Sequence, residues 1–149
     1  MALLPGAVAL PSSPAGATDY ASAGEAFSAI DDLQAEVAWR LQRLPEGRSR
    51  DFARSLLRDL ERHRLEREVL RPEMGLGSAR PASSAVAAAD GPLLDELRAA
   101  QEKLTYAHAE ALPVLDHPRA VRALARHMMD LSRHLTLVGL WIEAEEGRG

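Results

Sequence analysis

Cysteine is absent from the 149 residues of this chain, which excludes disulfides, thiol redox chemistry, cysteine-ligated zinc, iron–sulfur clusters and thioether-attached haem. Lysine is nearly absent, Lys103 being the only one. Aromatic residues make up 4%, so no stacking platform for single-stranded nucleic acid is available. A basic excess is lacking too. The 18 Arg and Lys are interspersed with 22 Asp and Glu, for a net charge of −4, whereas nucleic-acid binding needs a clustered positive face. No nucleic-acid partner is therefore expected. No apolar run approaches the roughly 20 residues that span a bilayer as a helix. No stretch shows the alternation and β-branched enrichment of a strand. Phosphate-binding glycine loops and nucleophile elbows are also missing; Gly75-Leu76-Gly77 follows a helix and lacks the required context.

What is present is one domain's length of chain, enough to bury a core without covalent staples, since a domain of this size hides about 70% of its unfolded surface. Residues 1–18 stand apart from it. The run Ala2 to Leu10 is short and apolar, Pro11 to Pro14 follow, and Ala15-Gly16-Ala17 supplies a small-x-small cleavage pattern just before Thr18. This reads as the tail of an export signal without its positively charged beginning, and it resembles the end of a twin-arginine signal. A periplasmic or exported location is expected if residues 1–17 are that truncated signal, and a cytoplasmic one if they are a plain Pro/Ala/Ser tail.

Residues 19–147 carry apolar residues at alternating three- and four-residue steps, the mark of amphipathic helices. The first run is Phe27, Ile30, Gln34, Val37, Leu41 and Leu44, stopped by Pro45-Glu46-Gly47. The second is Phe52, Leu56, Leu60, His63, Arg67 and Leu70, ending before Pro72. The third, Leu94, Leu97, Gln101, Leu104, His108, Ala111 and Leu115, has Asp90 and Pro92 as start signals. The fourth runs from Pro118 through Val121, Leu124, Met128, Leu131, Leu135, Val138 and Ile142, ending before Gly147. The expected fold is an all-α four-helix bundle, two antiparallel helix pairs joined by a long central connection. That connection, residues 72–90, is nineteen residues long. It reaches about 60 Å when extended against about 36 Å for a 24-residue helix, so it can return locally or cross the bundle.

The stripes are not purely apolar. Gln34, His63, Arg67, Gln101 and His108 occupy core positions, and His127, Asp130 and His134 lie on the shoulder of the fourth helix's apolar face. Buried without partners such groups cost several kcal/mol, so they must be paired. Folding the hairpins back on themselves puts His63 level with Asp31, and His108 level with Arg126 and His127. With a local return His63 shares a layer with Gln101 and His134; with a crossing it lies near Tyr106, His108 and His127. In both cases one histidine of helix 2 and one of helix 4 reach the same depth. Asp59, His63 and Glu66 lie one turn apart, and His127, Asp130 and His134 share a helix face. Facing carboxylates and imidazoles are how bundles build metal sites. The plainer account of His63 and His108 is a hydrogen bond to a neighbouring helix. His117 reads as a surface turn residue, Met128 and Met129 as packing, and Trp39 and Trp141 as flank residues.

The layout resembles the ferritin-like superfamily, with two antiparallel pairs, a long central connection, and His-plus-carboxylate pairs on helices 2 and 4. The resemblance covers residues 19–146 and is one of architecture. That family's di-iron pattern has Glu on helices 1 and 3 and Glu-x-x-His on helices 2 and 4. Here Asp59-Leu-Glu-Arg-His63 and Asp130-Leu-Ser-Arg-His134 are one residue longer and begin with Asp. His63-Arg-Leu-Glu66 and His127-Met-Met-Asp130 have the spacing in reverse order. Glu36, Glu102 and Glu110 lie beside the stripes. With that layout, the depth matching makes the first reading a transition metal, Fe, Mn, Zn or Cu, with His63, Glu66, His108, His127, Asp130 and His134 as the candidate ligands. The alternative is a metal-free module for protein assembly, as a homodimer or with a protein partner. A b-type haem site is the third reading.

Overall fold

The computed structural model describes residues 20–45, 48–80 and 93–148. The segment read as an export-signal remnant and the start signals Asp90 and Pro92 lie outside them. Four α-helices appear: α1 (Ala23–Gln42), α2 (Arg48–Glu73), α3 (Leu93–Ala111) and α4 (Pro118–Arg148), with a single 3₁₀ turn, Leu112–Val114, before α4. Among the described residues there is no strand, and no helix is long and apolar enough to cross a membrane. The fold is the expected all-α bundle.

Local chemistry sets the helix ends. Ser22 caps α1, its hydroxyl accepting from the Glu25 N–H at 3.2 Å while the Glu25 carboxylate accepts from the Ala21 N–H at 3.3 Å. The second helix runs one residue past Pro72, whose ring is tolerated in the last turn. It then closes on Gly75, which takes φ 73° so that the Leu76 N–H can reach back to the Arg71 carbonyl at 2.8 Å.

The order around the bundle is α1, α3, α4, α2, and every neighbouring pair is antiparallel. Arg40 at the end of α1 meets Glu96 at the start of α3 at 3.0 Å. At α1's other end, Asp31 meets Arg71 near the end of α2 at 2.8 Å, and a Cβ on Gly24 would lie 3.3 Å from Leu76. The end of α2 and the start of α3 are thus at opposite ends of the bundle. Of the two topologies the sequence allowed, these end positions select the crossing one. Ala79 and Arg80 already lie along the α1–α2 groove beside Ala38 and Glu61.

The core is one cluster that includes Phe27, Ile30, Leu41, Leu56, Leu60, Leu97, Leu104, Leu124 and Leu131. Ala100, Ala107 and Ala111 let α3 sit close to both α1 and α4. The second helix approaches its neighbours less closely, and long polar side chains bridge the gap. On α4 the buried seam is not the one that hydrophobicity alone selects. It runs through Leu124, His127, Leu131, His134 and Val138, while Met128 and Leu135 are only half-buried. His127 and His134, expected on the shoulder, are 2% and 0% exposed. They can occupy core positions because each finds a carboxylate on α2.

A candidate metal centre in a layer of buried imidazoles

Two polar systems fill the space around α2. Toward α1, the buried Arg67 donates through Nε to Asp31 at 2.9 Å and through a terminal nitrogen to Gln34 at 2.6 Å. Arg71 donates to the other Asp31 oxygen at 2.8 Å. One carboxylate thus serves two buried guanidinium groups. The hairpin register placed Asp31 level with His63; the structure carries it about one turn further, to Arg67 and Arg71. Arg71 is a site residue that stripe reading misses, since it lies just past Leu70, though its position four residues after Arg67 is the available signal.

Toward α4 the contacts form a ladder in constant antiparallel register. His134 donates Nε2–H to Asp59 at 2.8 Å, His63 to Asp130 at 2.8 Å and His127 to Glu66 at 3.0 Å. Two rungs thus have their imidazole on α4 and one has it on α2. Each carboxylate faces solvent with its other side and meets arginine there. Asp130 takes Arg62 at 2.7 Å and Arg133 at 3.2 Å, Asp59 takes Arg133 at 3.4 Å, and Glu66 takes Arg126 at 3.6 Å. The edge contact of Phe52 with Trp141, centroids 4.7 Å apart, continues the register toward one end. The Glu73–Arg119 ion pair ends it at the other.

Behind the ladder the imidazoles meet one another. The rings of His63 and His127 stack at 4.0 Å with 17° between planes. His108 of α3 stands edge-on to His127 at 6.0 Å and 72°. His108 donates Nδ1–H to the Leu104 carbonyl at 2.8 Å. The crossing topology therefore gathers His63, His108 and His127 at one level. Asp130 and Glu66 lie at that level as hydrogen-bond acceptors of two of these rings. His134 belongs to the next layer along, since seven helical residues separate it from His127 by about 10 Å. Gln101 stands in the same relation to His108, which puts it level with His134.

These hydrogen bonds fix the tautomers, because a carboxylate or carbonyl oxygen can only accept. The proton of His127 and of His134 sits on Nε2, and that of His108 on Nδ1. The remaining nitrogens, His127 Nδ1, His134 Nδ1 and His108 Nε2, are buried lone pairs with no hydrogen-bond partner in the protein. Both polar atoms of the Gln101 amide and one terminal nitrogen of Arg67 are in the same condition. Native interiors rarely leave so many polar atoms unpartnered in two adjacent layers.

Burial keeps the rings neutral. It pushes His108 down to about 3, with the nearby charge of Arg67, and of His63 whenever that ring is protonated, adding to the effect against the Leu104 hydrogen bond. Burial and the fields of His63, His108, Arg67 and Arg126 take His127 down to about 2. His63 and His134 are lowered too, burial outweighing their carboxylate partners. Burial acts to raise the Asp130 carboxyl, but the His63 ring N–H and Arg62 more than offset it and hold it below the usual carboxylate range. Neutral imidazole is the form that binds metals. Among the described residues, however, no three His, Asp or Glu side chains are arranged around a common point to hold an ion.

No family model matches the sequence, and curated proteins and solved structures give no significant match either. The functional reading rests on the geometry alone.

Proposed function

We propose that this chain is a ferritin-like bundle that holds a transition metal in its buried imidazole layer, with His108 and His127 as ligands. One observation carries the reading. In each of these rings one nitrogen is tied to an oxygen acceptor, and the other is a buried lone pair with no partner. That is how metal-binding histidines are prepared, with an outer carboxylate or carbonyl setting the tautomer and aim of the ring. The helix order and the crossing connection support the ferritin-like layout. The carboxylates do not support di-iron chemistry of that family's kind, because Asp59, Glu66 and Asp130 are engaged by imidazoles and arginines.

The test is metal analysis of the purified protein and thermal melts with Fe(II), Mn(II), Zn(II), Cu(II) and Cu(I). A ligand at a hundred times its Kd adds about 2.7 kcal/mol of stability, or very roughly 5–10 °C for a domain of this length. At least one ion should give such a shift in the wild type and none in His108→Leu. A metal-free protein whose melting ignores all five ions refutes the reading.

The second reading is a metal-free assembly module whose ladder only locks α2 to α4. It is favoured by Leu65 and Val69, 51% and 62% exposed, which border an α2–α4 groove of about 330 Å³ with Arg62, Glu66, Ala123 and Arg126. Inert melts together with a concentration-dependent dimer in sedimentation would select it.

A further inference from the structure

Resting on the metal reading, we infer that the ion is monovalent copper, held two-coordinate between His108 Nε2 and His127 Nδ1. The first ground is the number of donors. These two lone pairs are the unpartnered ring nitrogens of their layer. His63 lies against His127 face to face, an arrangement in which the two rings' in-plane lone pairs run side by side and cannot converge on one ion. His134 and Gln101 are two turns away, about 10 Å along the axis. Zn(II) in proteins takes four ligands in a tetrahedron, and Mn(II) and Mg(II) want six, mostly oxygens. Cu(I), a closed-shell d¹⁰ ion, accepts two neutral nitrogens in a near-linear arrangement.

The spacing agrees. Metal–nitrogen bonds of about 2 Å put the centres of two imidazoles on opposite sides of one ion about 6 Å apart, and the His108 and His127 centroids are 6.0 Å apart. Charge is the second, independent ground. Both donors are neutral, and the carboxylate nearest His127, that of Glu66, is shared with Arg126 and Arg62. Buried Arg67 bears on both rings, and its carboxylate partner among the described residues, Asp31, also serves Arg71. Placing a divalent ion here would bury two positive charges beside a third with no ligand anion to offset them, and the cost of buried charge rises steeply with its magnitude. A monovalent ion meets half of that opposition. Seclusion is the third ground: His108 and His127 are 1% and 2% exposed, so bulk solvent does not reach the two donors.

The experiment is an anaerobic titration of the whole chain with Cu(I) against a chromophoric Cu(I) chelator, with Zn(II) and Fe(II) titrations in parallel. X-ray absorption of the loaded protein reads coordination number. One Cu(I) per chain with two nitrogen scatterers is expected, and unchanged melting with Zn(II) or Fe(II) at equal concentration. His108→Leu should weaken Cu(I) roughly a hundredfold or more, above the 10–100-fold that an outer partner alone contributes, while Gln101→Leu leaves it unchanged. Should His108→Leu fold poorly, the absorption spectrum of the wild type decides alone. Zn(II) or Fe(II) binding without Cu(I), or Cu(I) with three or more ligands, overturns this inference and spares the metal reading. Binding of no ion overturns both.

Discussion

Lowering the pH of the metal-free protein from about 7.5 to about 5 should destabilise it by at least about 4 kcal/mol, the share of His108 and His127 alone. An unfolded histidine titrates near 6.5, whereas folded His108 and His127 are taken down to about 3 and about 2. A folded value below the unfolded one in a base means that the unfolded chain binds more protons between them. Stability is then full above about pH 6.5 and falls as the pH drops through the window from 6.5 toward 3. At about pH 5 the unfolded form of each ring has gained about 2 kcal/mol, and this holds for any folded value well below 5. The groups facing the rings do not cancel the effect. His127 sees Glu66, His63 and Arg67 of α2, His108 of α3 and Arg126 of its own helix; His108 sees Arg67 and His63 of α2, His127 of α4 and its own Leu104 carbonyl. Glu66 is the one anion among them. Urea unfolding with chelator present, followed by the fluorescence of Trp39 and Trp141, measures the loss. His108→Leu should lose about 2 kcal/mol less over the same pH interval. A wild-type loss below about 1 kcal/mol would mean that the rings already carry protons in the fold, and would refute the neutral buried layer.

The Arg67–Asp31–Arg71 cluster should respond asymmetrically. Asp31→Ala leaves buried Arg67 without its carboxylate and Arg71 with Glu68 at 3.7 Å, and should cost about 3–5 kcal/mol. Arg67→Met, which leaves Asp31 paired with Arg71 but takes the donor from Gln34, should cost only about 1–3 kcal/mol in the same chemical denaturation. The Gln101 amide is fully buried with neither polar atom bonded, so Gln101→Leu should stabilise the protein by about 1–3 kcal/mol; a destabilised variant would mean that the amide has a partner in solution.

Most of the helical architecture was legible because apolar periodicity is strong in all four runs. Breakers such as Pro45 and the Pro118 start bracket the helices within a residue or two. The topology was not legible, for a plain reason of length. A nineteen-residue connection outreaches the helices it joins, so chain geometry permits both a return and a crossing. Once the crossing is given, helix register alone predicts that His63 lies with His108 and His127. The α4 seam was off by one residue at two of its positions, because hydrophobicity ranks Met128 and Leu135 above His127 and His134. No single-helix pattern reveals that Glu66 and Asp59 wait opposite those histidines. Asp31 was set level with His63 rather than with its arginine partners for a similar reason. Its value lies in the two arginines that reach it from another helix, and side chains as long as arginine blur a register by a full turn.

The ladder does two things with one set of contacts, and this ties the fold to the site. The second helix is poor in apolar residues and stands off from the bundle, so the rungs His134–Asp59, His63–Asp130 and His127–Glu66 supply specific attachment to α4. The same rungs draw the ring protons to the Nε2 side, next to the solvent-facing carboxylates. They thereby turn the bare nitrogen of His127 and of His134 away from those carboxylates. On α3 there is no opposing carboxylate, and His108 reaches the complementary state through its own helix, giving Nδ1–H to Leu104 and presenting Nε2. A bundle built only for stability could place leucine at 108 and 127 and gain from it, since a satisfied apolar core has no unpartnered lone pairs. Two independent devices, one between helices and one within a helix, leave unprotonated nitrogens in a single layer. Cohesion alone accounts for the rungs but not for His108, whose hydrogen bond joins no two helices. A ligand between His108 and His127 accounts for both.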